Sequence, residues 1–347
     1  MKAEQFNEAY RDLSAAVHEA GLVRRRYRFY WAMLIGWLTT LVLLLAGVFV
    51  LGDSWFQLII AALLGIAAVQ FGFLSHEAAH REIFASRAWN EWASRLISAL
   101  LLGLSYSWWM AKHNSHHANP NKEEADPDVK SNVLALTPDA MAQRNGLAAK
   151  TSRYQGWFFI PLLSLEGLNL HVSSVRMLLS VPGVRHRFTE LSMITIRHVG
   201  LLVLVFAVLS PGKAVAFLGV QVAVFGINLG GAFALNHIGM PIVPADINLD
   251  FLRRQVAMSR NITDGPLVRF LMGGLQYQIE HHLFPIVPRP NLPQVQKMVR
   301  EYCSQLDIPY TERTLTNAGT TVVAYLNQVG LKNRDPYVCP LVQRFRG

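Results

Sequence analysis

Apolar residues are concentrated in four long blocks of this chain, separated by stretches rich in charged and turn-forming residues. The blocks are residues 29–50, 56–74, 193–209 and 214–235. An α-helix rises about 1.5 Å per residue and needs about 20 apolar residues to cross the hydrocarbon core of a bilayer. Each block reaches or approaches that length. The pattern therefore predicts an all-α integral membrane protein with four transmembrane helices.

The predicted helices are expected to form two hairpins. Gly52, Asp53 and Ser54 join the first pair, and residues 210–213 (Ser-Pro-Gly-Lys) join the second; both joints have the composition of turns. Only Lys213 among the 32 Lys and Arg residues then lies on the far side, so the positive-inside rule assigns the shared side to the cytoplasm. We therefore predict one multi-pass domain over residues 1–347. Its segments are a cytoplasmic N-terminus (1–28), hairpins at 29–75 and 193–235, a cytoplasmic or interfacial segment (76–192) and a cytoplasmic helical cap (236–347).

Two weaker apolar runs, at residues 96–110 and 157–170, need a separate interpretation. The second contains Pro161 and Glu166, which are expected to interrupt a helix and to oppose membrane insertion. If the first run crossed the membrane alone, the histidine groups before and after it would face opposite sides. A shared site therefore requires this run to be re-entrant or to lie along the interface. Trp108 and Trp109 at its end favour the interfacial position, as anchors rather than substrate contacts.

Composition supports the membrane assignment. Of 347 residues, 52% are hydrophobic and only 16% are charged, whereas soluble domains carry about 25% charged residues. The net charge of +9 fits Lys and Arg retained on the cytoplasmic side, in contact with anionic lipid headgroups. No basic tract is interleaved with aromatic residues, so no nucleic-acid partner is predicted. Cys303 and Cys339 belong to no CxxC pair, which argues against a disulfide framework or an iron–sulfur cluster.

Eight of the twelve histidines lie in short groups at the predicted cytoplasmic ends of the helices. Spacings of three and four residues place the members of a group on one face of a helix. The groups are His76 and His80; His113, His116 and His117; Gln278, His281 and His282; and His237, which follows Asn236 at the end of the fourth run. A lone histidine is more often a hydrogen-bonded structural residue, and His18, His171, His186 and His198 are interpreted in that way. Three independent one-face groups indicate a metal site.

Several neutral imidazoles suit a borderline first-row metal such as iron, copper or zinc. A structural zinc needs only four ligands, whereas eight histidines and Gln278 are enough for two metals with open positions. Two metals near the depth of lipid acyl chains indicate oxygen chemistry. The saturated C–H bonds of such chains offer no handle for acid–base catalysis. Asp126 and Asp128 follow the second group and either orient imidazoles or are solvated loop residues. Of these two roles we favour the loop.

Two other classes of protein are compatible with part of the pattern. The segment His76-Glu77-Ala78-Ala79-His80 matches the zinc-protease pattern HExxH, in which Glu77 would be the general base of an intramembrane protease. The pattern is short and leaves the second and third groups unexplained, so Glu77 is instead expected to orient a ligand imidazole. A metal transporter would need polar ligands at mid-span, whereas these histidines lie at the membrane edge.

The three groups together resemble the histidine boxes of the membrane fatty acid desaturases. They read HEAAH, HNSHH and QIEHH in order, and the third continues through Leu283, Phe284 and Pro285, similar to the QxxHHLFP signature of the front-end branch. Residues 236–238 (Asn-His-Ile) and 288–292 (Pro-Arg-Pro-Asn-Leu) are also similar to that family. The resemblance covers residues 24–309.

This resemblance implies a four-span fold with a cytoplasmic di-iron site and an acyl tunnel. It implies that Gln278 binds iron, holds a water or positions its helix, and that His237 is an additional ligand. The seven box histidines implied as iron ligands are His76, His80, His113, His116, His117, His281 and His282.

The resemblance also implies an activity, which is the O2-dependent introduction of a cis double bond into a lipid- or CoA-linked acyl chain. A lipid hydroxylase or ketolase uses the same metal centre and is the alternative. No HPGG haem motif of a fused cytochrome b5 domain occurs in the chain. A separate electron donor of the ferredoxin or cytochrome type, with its reductase, is therefore expected as a partner.

Overall fold

The computed structural model describes residues 3–130 and 133–331, so Cys339 and the end of the predicted cap lie outside the described residues. The described part is mostly helical. Its α-helices are α1 Ala3–Glu19, α2 Tyr27–Leu51, α3 Gln57–Ala79, α4 Arg87–Leu96, α5 Tyr106–Ala118, α6 Pro138–Ala142, α7 Gly146–Ser152, α8 Phe159–Ser180, α9 Arg187–Val208, α10 Pro211–His237, α11 Phe251–Ala257, α12 Pro266–Met272, α13 Gln278–Leu283, α14 Leu292–Gln305 and α15 Leu315–Gly330. The strands are β1 Asn261–Ile262 and β2 Glu312–Arg313, a π-helical segment covers Ile97–Leu102, and 3₁₀ turns cover Leu275–Tyr277 and Arg289–Asn291.

Contacts between residues divide the chain into two compact units. The polar unit consists of Met1–Arg24, Lys112–Ile160 and Ala232–Gly347. The span unit consists of Arg25–Ala111 and Pro161–Gly231. Each unit is described below by itself.

Four helices in the described part of the chain, α2, α3, α9 and α10, are long and apolar enough to cross a membrane. Their most apolar windows have mean hydropathies between 1.7 and 2.5. Each overlaps one of the four apolar blocks, so the predicted number of candidate spans is confirmed. Only 11% of the apolar window is buried in α2 and in α9. Their apolar side chains therefore face outward, as contact with lipid requires.

Apolar side chains from all four candidate spans form the core of the span unit. They are Leu44, Val48, Ala61, Leu64, Ala67, Val205, Leu209, Ala214 and Phe217. Polar side chains satisfy the carbonyl and amide groups that helix ends leave open. Gln57 Nε2 donates to the carbonyl oxygens of Val48 at 2.7 Å and Gly52 at 2.9 Å. Asp53 Oδ1 accepts from the Ser210 amide at 2.8 Å, so the two predicted turn segments are hydrogen-bonded to each other.

The two weaker apolar runs fold differently from each other. Residues 96–110 form no single helix, because Gly103, at φ 84°, ends the π-helical segment before α5 begins. A Cβ at Gly103 would lie 2.3 Å from His198 Cε1, so this break depends on glycine. The expected interruption at Pro161 is wrong. The helix α8 is continuous because Pro161 lies in its first turn, where a helix loses no internal amide hydrogen bond.

A buried ion pair fixes the start of α5 in the span unit. Arg95 Nε lies 3.1 Å from Glu190 Oε1, and the two side chains are 2% and 0% exposed. The same carboxylate accepts from Ser105 Oγ at 2.6 Å and from Ser107 Oγ at 2.7 Å. Arg95 also lies over the ring of Tyr106, with its guanidinium carbon 4.6 Å from the ring centroid. One carboxylate on α9 therefore binds α4 and both residues that flank the first residue of α5.

The polar unit is built around a separate apolar core that includes the amphipathic helix α1. Its members are Phe6, Leu13, Val17, Leu22, Leu252, Val256, Tyr277, Ile279, Leu283, Phe284, Val287, Leu292, Val295, Val299, Cys303 and Ile308. Tyr10 OH donates to the Leu283 carbonyl at 3.0 Å, and its ring stacks on Phe284 with centroids 5.8 Å apart. The N-terminal segment therefore packs directly on the helix that carries the third histidine group.

The all-α prediction needs one correction within the polar unit. The strands β1 and β2 pair in parallel, with Asn261 opposite Glu312 and Ile262 opposite Arg313. Two residues are too few for an alternating apolar pattern to appear in the sequence. The pair nevertheless matters for the site, because Asn261 also binds α13.

Candidate metal centre

The third histidine group lies on α13, a short helix whose six residues are all buried. Asn261 holds this helix through two atoms: its Oδ1 accepts from the Ile279 amide at 2.9 Å, and its Nδ2 donates to Glu280 Oε2 at 2.6 Å. Tyr310 OH donates to Glu280 Oε1 at 2.8 Å. Burial raises the pKa of Glu280 to about 7, although these hydrogen bonds act in the opposite direction. The network fixes the helix on which both box histidines lie.

Three histidines from three helices meet in the polar unit. They are His116 of α5, His237 of α10 and His282 of α13, and one ring nitrogen from each lies within 4.8 Å of the others. All three side chains are buried. His116 Nε2 and His237 Nε2 are 3.3 Å apart. His237 Nδ1 lies 3.2 Å from the Met258 carbonyl oxygen, and because that oxygen only accepts, Nδ1 carries the proton and Nε2 keeps its lone pair.

His116 is oriented by a buried carboxylate. Its Nδ1 lies 2.9 Å from Oδ2 of Asp126, whose side chain is fully buried. Burial lowers the pKa of His116, but the hydrogen bond and charge of Asp126, with the charge of Asp128, raise it by more, so the net shift is upward. The interpretation of Asp126 as a solvated loop residue is therefore wrong. Asp128 is 44% exposed and lies 2.7 Å from Lys112 Nζ, closer than its 3.4 Å to His116 Nδ1.

The remaining histidine of this group presents an unpaired nitrogen. His282 Nδ1 lies 2.9 Å from Gln255 Oε1. Within the described part of the chain, His282 Nε2 is buried and has no hydrogen-bond partner. Burial and then the neighbouring imidazoles hold the pKa of His282 well below its ordinary value. The ring is therefore neutral at physiological pH, and one nitrogen lone pair is available to a metal ion.

A second group in the polar unit consists of His113, His117 and His281, whose ligand nitrogens also lie within 4.8 Å of one another. His281 Nε2 is 3.2 Å from His117 Nε2. The rings of His113 and His117 meet edge to face, with centroids 4.3 Å apart. The one-face spacing in the sequence correctly predicted that the HNSHH and QIEHH boxes are helical, and α5 distributes its three histidines between the two groups.

The first histidine group lies in the span unit. His76 is in the last turn of α3 and His80 caps its C-terminus, with a ligand nitrogen of each within 4.8 Å of the other. Trp109 packs edge to face on both rings, with centroids 5.4 Å from His76 and 6.4 Å from His80. The sequence did not indicate this contact. Glu77 is buried beside them, at 3% exposure.

The side chain of Gln278 lies next to the group that contains His237. Its Nε2 is 3.0 Å from His237 Nε2, and its Oε1 accepts from Asn236 Nδ2 at 3.0 Å. Asn236 Nδ2 also donates to the carbonyl oxygens of Ala232 and Leu275, at 3.1 and 2.9 Å, which only accept. The orientation of the Asn236 amide is therefore fixed, and it turns the Gln278 oxygen away from His237.

Three residues that support these groups were not predicted from the sequence. Asn121 Nδ2 donates to the His237 carbonyl at 3.1 Å. Gln255 binds the carbonyl oxygen of His117, and Asn261 binds Glu280 on α13, next to His281 and His282. Asn121 lies four residues after His117, and Asn261 begins β1. Neither belongs to a motif or a regular spacing that would have marked it in the sequence. The four histidines interpreted as structural lie in none of the candidate ligand groups found among the described residues. His171, for example, bonds to the Gly167 and Leu102 carbonyls.

The donor set and its spacing fit a first-row metal. Two imidazole nitrogens about 2.1 Å from one ion at a right angle lie about 3 Å apart. The His116–His237 and His117–His281 nitrogen pairs are 3.3 and 3.2 Å apart. The buried nitrogen of His282 gives a further donor without a competing hydrogen bond among the described residues. Neutral nitrogen donors without thiolate suit a first-row metal such as iron, copper or zinc. The described residues therefore define a helical protein with four candidate membrane spans and histidine groups that could hold a metal.

Comparison with known proteins identifies the family. The protein-family model described as fatty acid desaturase matches residues 53–314 of this chain. A Delta(8)-fatty-acid desaturase of Helianthus annuus is 26% identical over 96% of this chain and 76% of its own length. An acyl-lipid (9-3)-desaturase of Borago officinalis is 27% identical, over 95% and 77%, and a Delta(6)-fatty-acid desaturase of Caenorhabditis elegans is 28% identical, over 87% and 70%. This chain belongs to the fatty acid desaturase family, which confirms the resemblance of its histidine boxes.

Proposed function

We propose that this protein is an O2-dependent di-iron fatty acyl desaturase that introduces a cis double bond into a lipid- or CoA-linked acyl chain. The pair of three-histidine groups in the polar unit, within a chain of this family, carries the proposal. Relatives named as Delta(8), Delta(6) and Delta(5) desaturases support a substrate that is an acyl chain. They also support a front-end position for the new double bond.

The proposed iron ligands are the eight grouped histidines. They are His76, His80, His113, His116, His117, His237, His281 and His282. We propose that Gln278 lies beside His237 and is not a direct ligand, because its amide oxygen faces Asn236; its amide nitrogen would have to move away from His237 Nε2 when that nitrogen binds iron. Glu77 is proposed to orient a box histidine, which its burial next to His76 supports.

When bound, two reduced irons supply the means to activate O2 and to remove hydrogen from an unactivated carbon. The residues of the chain hold the ligand nitrogens in the correct state. Asp126 and the Met258 carbonyl keep the Nδ1 protons of His116 and His237, which leaves both Nε2 lone pairs for the metal. Burial of His282 would keep water away from a metal held at its Nε2.

The stoichiometry of the reaction requires an outside electron source. Conversion of CH2–CH2 to CH=CH releases two hydrogens, and reduction of one O2 to two waters takes these together with two electrons and two protons. We propose a separate ferredoxin or cytochrome with its reductase as the donor. The proposed site faces the cytoplasm, with the four candidate spans paired in two hairpins and residues 236–347 in a cytoplasmic cap, which the distribution of Lys and Arg supports.

The fatty-acid profile of a host that expresses the protein tests this function. We expect a new cis double bond in the wild type and none in a His281→Ala variant. A His18→Ala variant should retain activity, because His18 Nδ1 bonds the Ser14 carbonyl of its own helix and, among the described residues, His18 lies in none of the candidate ligand groups. A product that carries a new oxygen would instead indicate the hydroxylase alternative. Peptide cleavage that needs Glu77 and zinc but no iron would contradict the proposal in favour of a protease.

A further inference from the structure

Gln255, on α11, is fully buried and contacts two of the histidine groups. Its Nε2 donates to the carbonyl oxygen of His117 at 2.9 Å. Its Oε1 lies 2.9 Å from Nδ1 of His282. One amide therefore binds the backbone of a residue in one three-histidine group and the ring of a residue in the other.

The hydrogen bond to His117 determines which way the amide points. A backbone carbonyl only accepts, so the NH2 of Gln255 must face His117, and the amide oxygen must face His282. An amide oxygen also only accepts, so His282 Nδ1 must carry a proton. In a neutral imidazole the other nitrogen, Nε2, then has the lone pair. This nitrogen is the buried one without a hydrogen-bond partner among the described residues.

We propose that Gln255 is a positioning residue for the metal centre, which holds His282 in the tautomer that binds metal through Nε2, while its bond to the His117 carbonyl only sets the direction of the amide. The inference rests on the proposed metal site. It goes beyond the histidine boxes, because Gln255 belongs to none of them and lies 27 residues before His282. Hydrogen-bond partners of this kind orient ligands and tune their basicity, and their loss weakens metal affinity by about 10–100-fold.

Another buried glutamine provides a matched control for the loss of packing alone. Gln155, also in the polar unit, donates to the carbonyl oxygens of Ala135 at 2.8 Å and Leu326 at 3.0 Å, and accepts from the Ala135 amide at 2.9 Å. Within the described part of the chain, its hydrogen bonds involve no histidine. Gln155→Met and Gln255→Met therefore both remove a buried amide with a bond to a backbone carbonyl, and only Gln255→Met removes a contact to a proposed ligand.

A third variant separates the two bonds of Gln255. In Gln255→Glu a carboxylate oxygen still accepts from His282 Nδ1, while the donor to His117 is lost. If the tautomer of His282 is what matters, Gln255→Glu binds metal with close to wild-type affinity. Gln255→Met offers His282 Nδ1 only a weakly accepting thioether sulfur, so it binds metal more weakly.

The experiment titrates the full-length protein, purified in detergent without metal, with Co²⁺ against a competing chelator and follows the visible absorption of bound Co²⁺. The thermal unfolding midpoint of each variant is measured in parallel. We expect Gln255→Met to bind Co²⁺ about 10–100-fold more weakly, and Gln255→Glu and Gln155→Met to bind as the wild type does. A Gln155→Met variant that is as destabilised as Gln255→Met but keeps its affinity would support positioning over packing.

Two results would overturn the inference without touching the proposed function. One is a Gln255→Met variant that binds two Co²⁺ ions as tightly as the wild type does. The other is a Gln255→Glu variant that loses affinity, which also decides the matter if Gln255→Met does not fold. A wild-type protein that binds no pair of metal ions would contradict the proposed function itself.

Discussion

Asp126 accepts a hydrogen bond from His116, with 2.9 Å between Oδ2 and Nδ1, and its side chain is fully buried. The same oxygen accepts from the Asn121 amide at 2.8 Å, and Oδ1 accepts from the Asp128 amide at 2.9 Å. A carboxylate held by two backbone amides is a fixed acceptor, so it determines both the tautomer and the angle of the imidazole. The loop after the second histidine box thus orients a residue of the candidate metal centre.

Replacing this carboxylate should weaken metal binding. Asp126→Asn keeps the volume but presents an NH2 group to one of three donors, so either His116 or an amide loses its acceptor. We expect iron affinity to fall by about 10–100-fold. The measurement is the iron retained by the purified protein after dialysis against a chelator. Asp139→Asn, at an exposed position on α6 of the same unit, should retain as much iron as the wild type.

The pH dependence of metal binding should also show the effect of Asp126 on His116. Asp126 raises the pKa of His116, and a metal ion must displace the proton from its nitrogen. Metal affinity therefore rises with pH as His116 deprotonates. Without the carboxylate the pKa of His116 falls, so in Asp126→Asn this rise should occur at lower pH than in the wild type. Co²⁺ titrations between pH 5 and pH 9, about the range over which histidines titrate, would measure the shift; an unchanged profile would contradict the role of Asp126.

The buried ion pair in the span unit predicts an asymmetric effect on stability. Arg95→Met leaves the fully buried Glu190 without its cation, which should cost about 3–5 kcal/mol of unfolding free energy. The double variant Arg95→Met with Glu190→Gln should cost less, because no buried charge is left unpaired. Thermal unfolding in detergent checks the order of the two. Arg269→Met is the control, since Arg269 is 64% exposed in its pair with Asp264 and should change stability by at most about 0.5 kcal/mol.

Close packing of α8 and α10 predicts a second effect within the span unit. A Cβ at Gly226 would lie 2.4 Å from the Leu163 carbonyl oxygen and 2.5 Å from the Gly167 amide nitrogen. Backbone atoms cannot move aside as a side chain can, so Gly226→Ala should destabilise the protein by about 1–3 kcal/mol. Among the described residues nothing lies within 4 Å of a Cβ at Gly219 on the same helix. Gly219→Ala should therefore leave the unfolding midpoint unchanged or raise it.

Apolar blocks and helical spacings in the sequence predicted the candidate spans and the helices that carry the histidines. Four apolar blocks became four candidate spans, because length and hydropathy alone determine that property. The spacings of His113, His116 and His117 correctly placed them on one helix, since one-turn neighbours share a face. Pro161 was misjudged because its effect depends on its distance from the start of the helix, which the sequence leaves open.

These patterns could not predict contacts between residues that are far apart in the sequence. Asp126 lies in a polar stretch that has the composition of a solvated loop, and only the fold buries it. Gln255 and Asn261 carry no motif, and they reach the histidines because α11 and β1 pack against α13. The division of α5 histidines between two groups also depends on where α10 and α13 lie. A periodic pattern identifies a face of a helix but not what that face meets.

The iron content of the purified wild-type protein tests the central claim most directly. We predict about two irons per chain, a large loss of iron in His282→Ala, and an unchanged content in His18→Ala, whose ring lies on the exposed side of α1. Elemental analysis of all three proteins, prepared in parallel from cells supplied with iron, makes the measurement. A single zinc per chain, retained by His282→Ala, would contradict a di-iron centre built from these histidine groups.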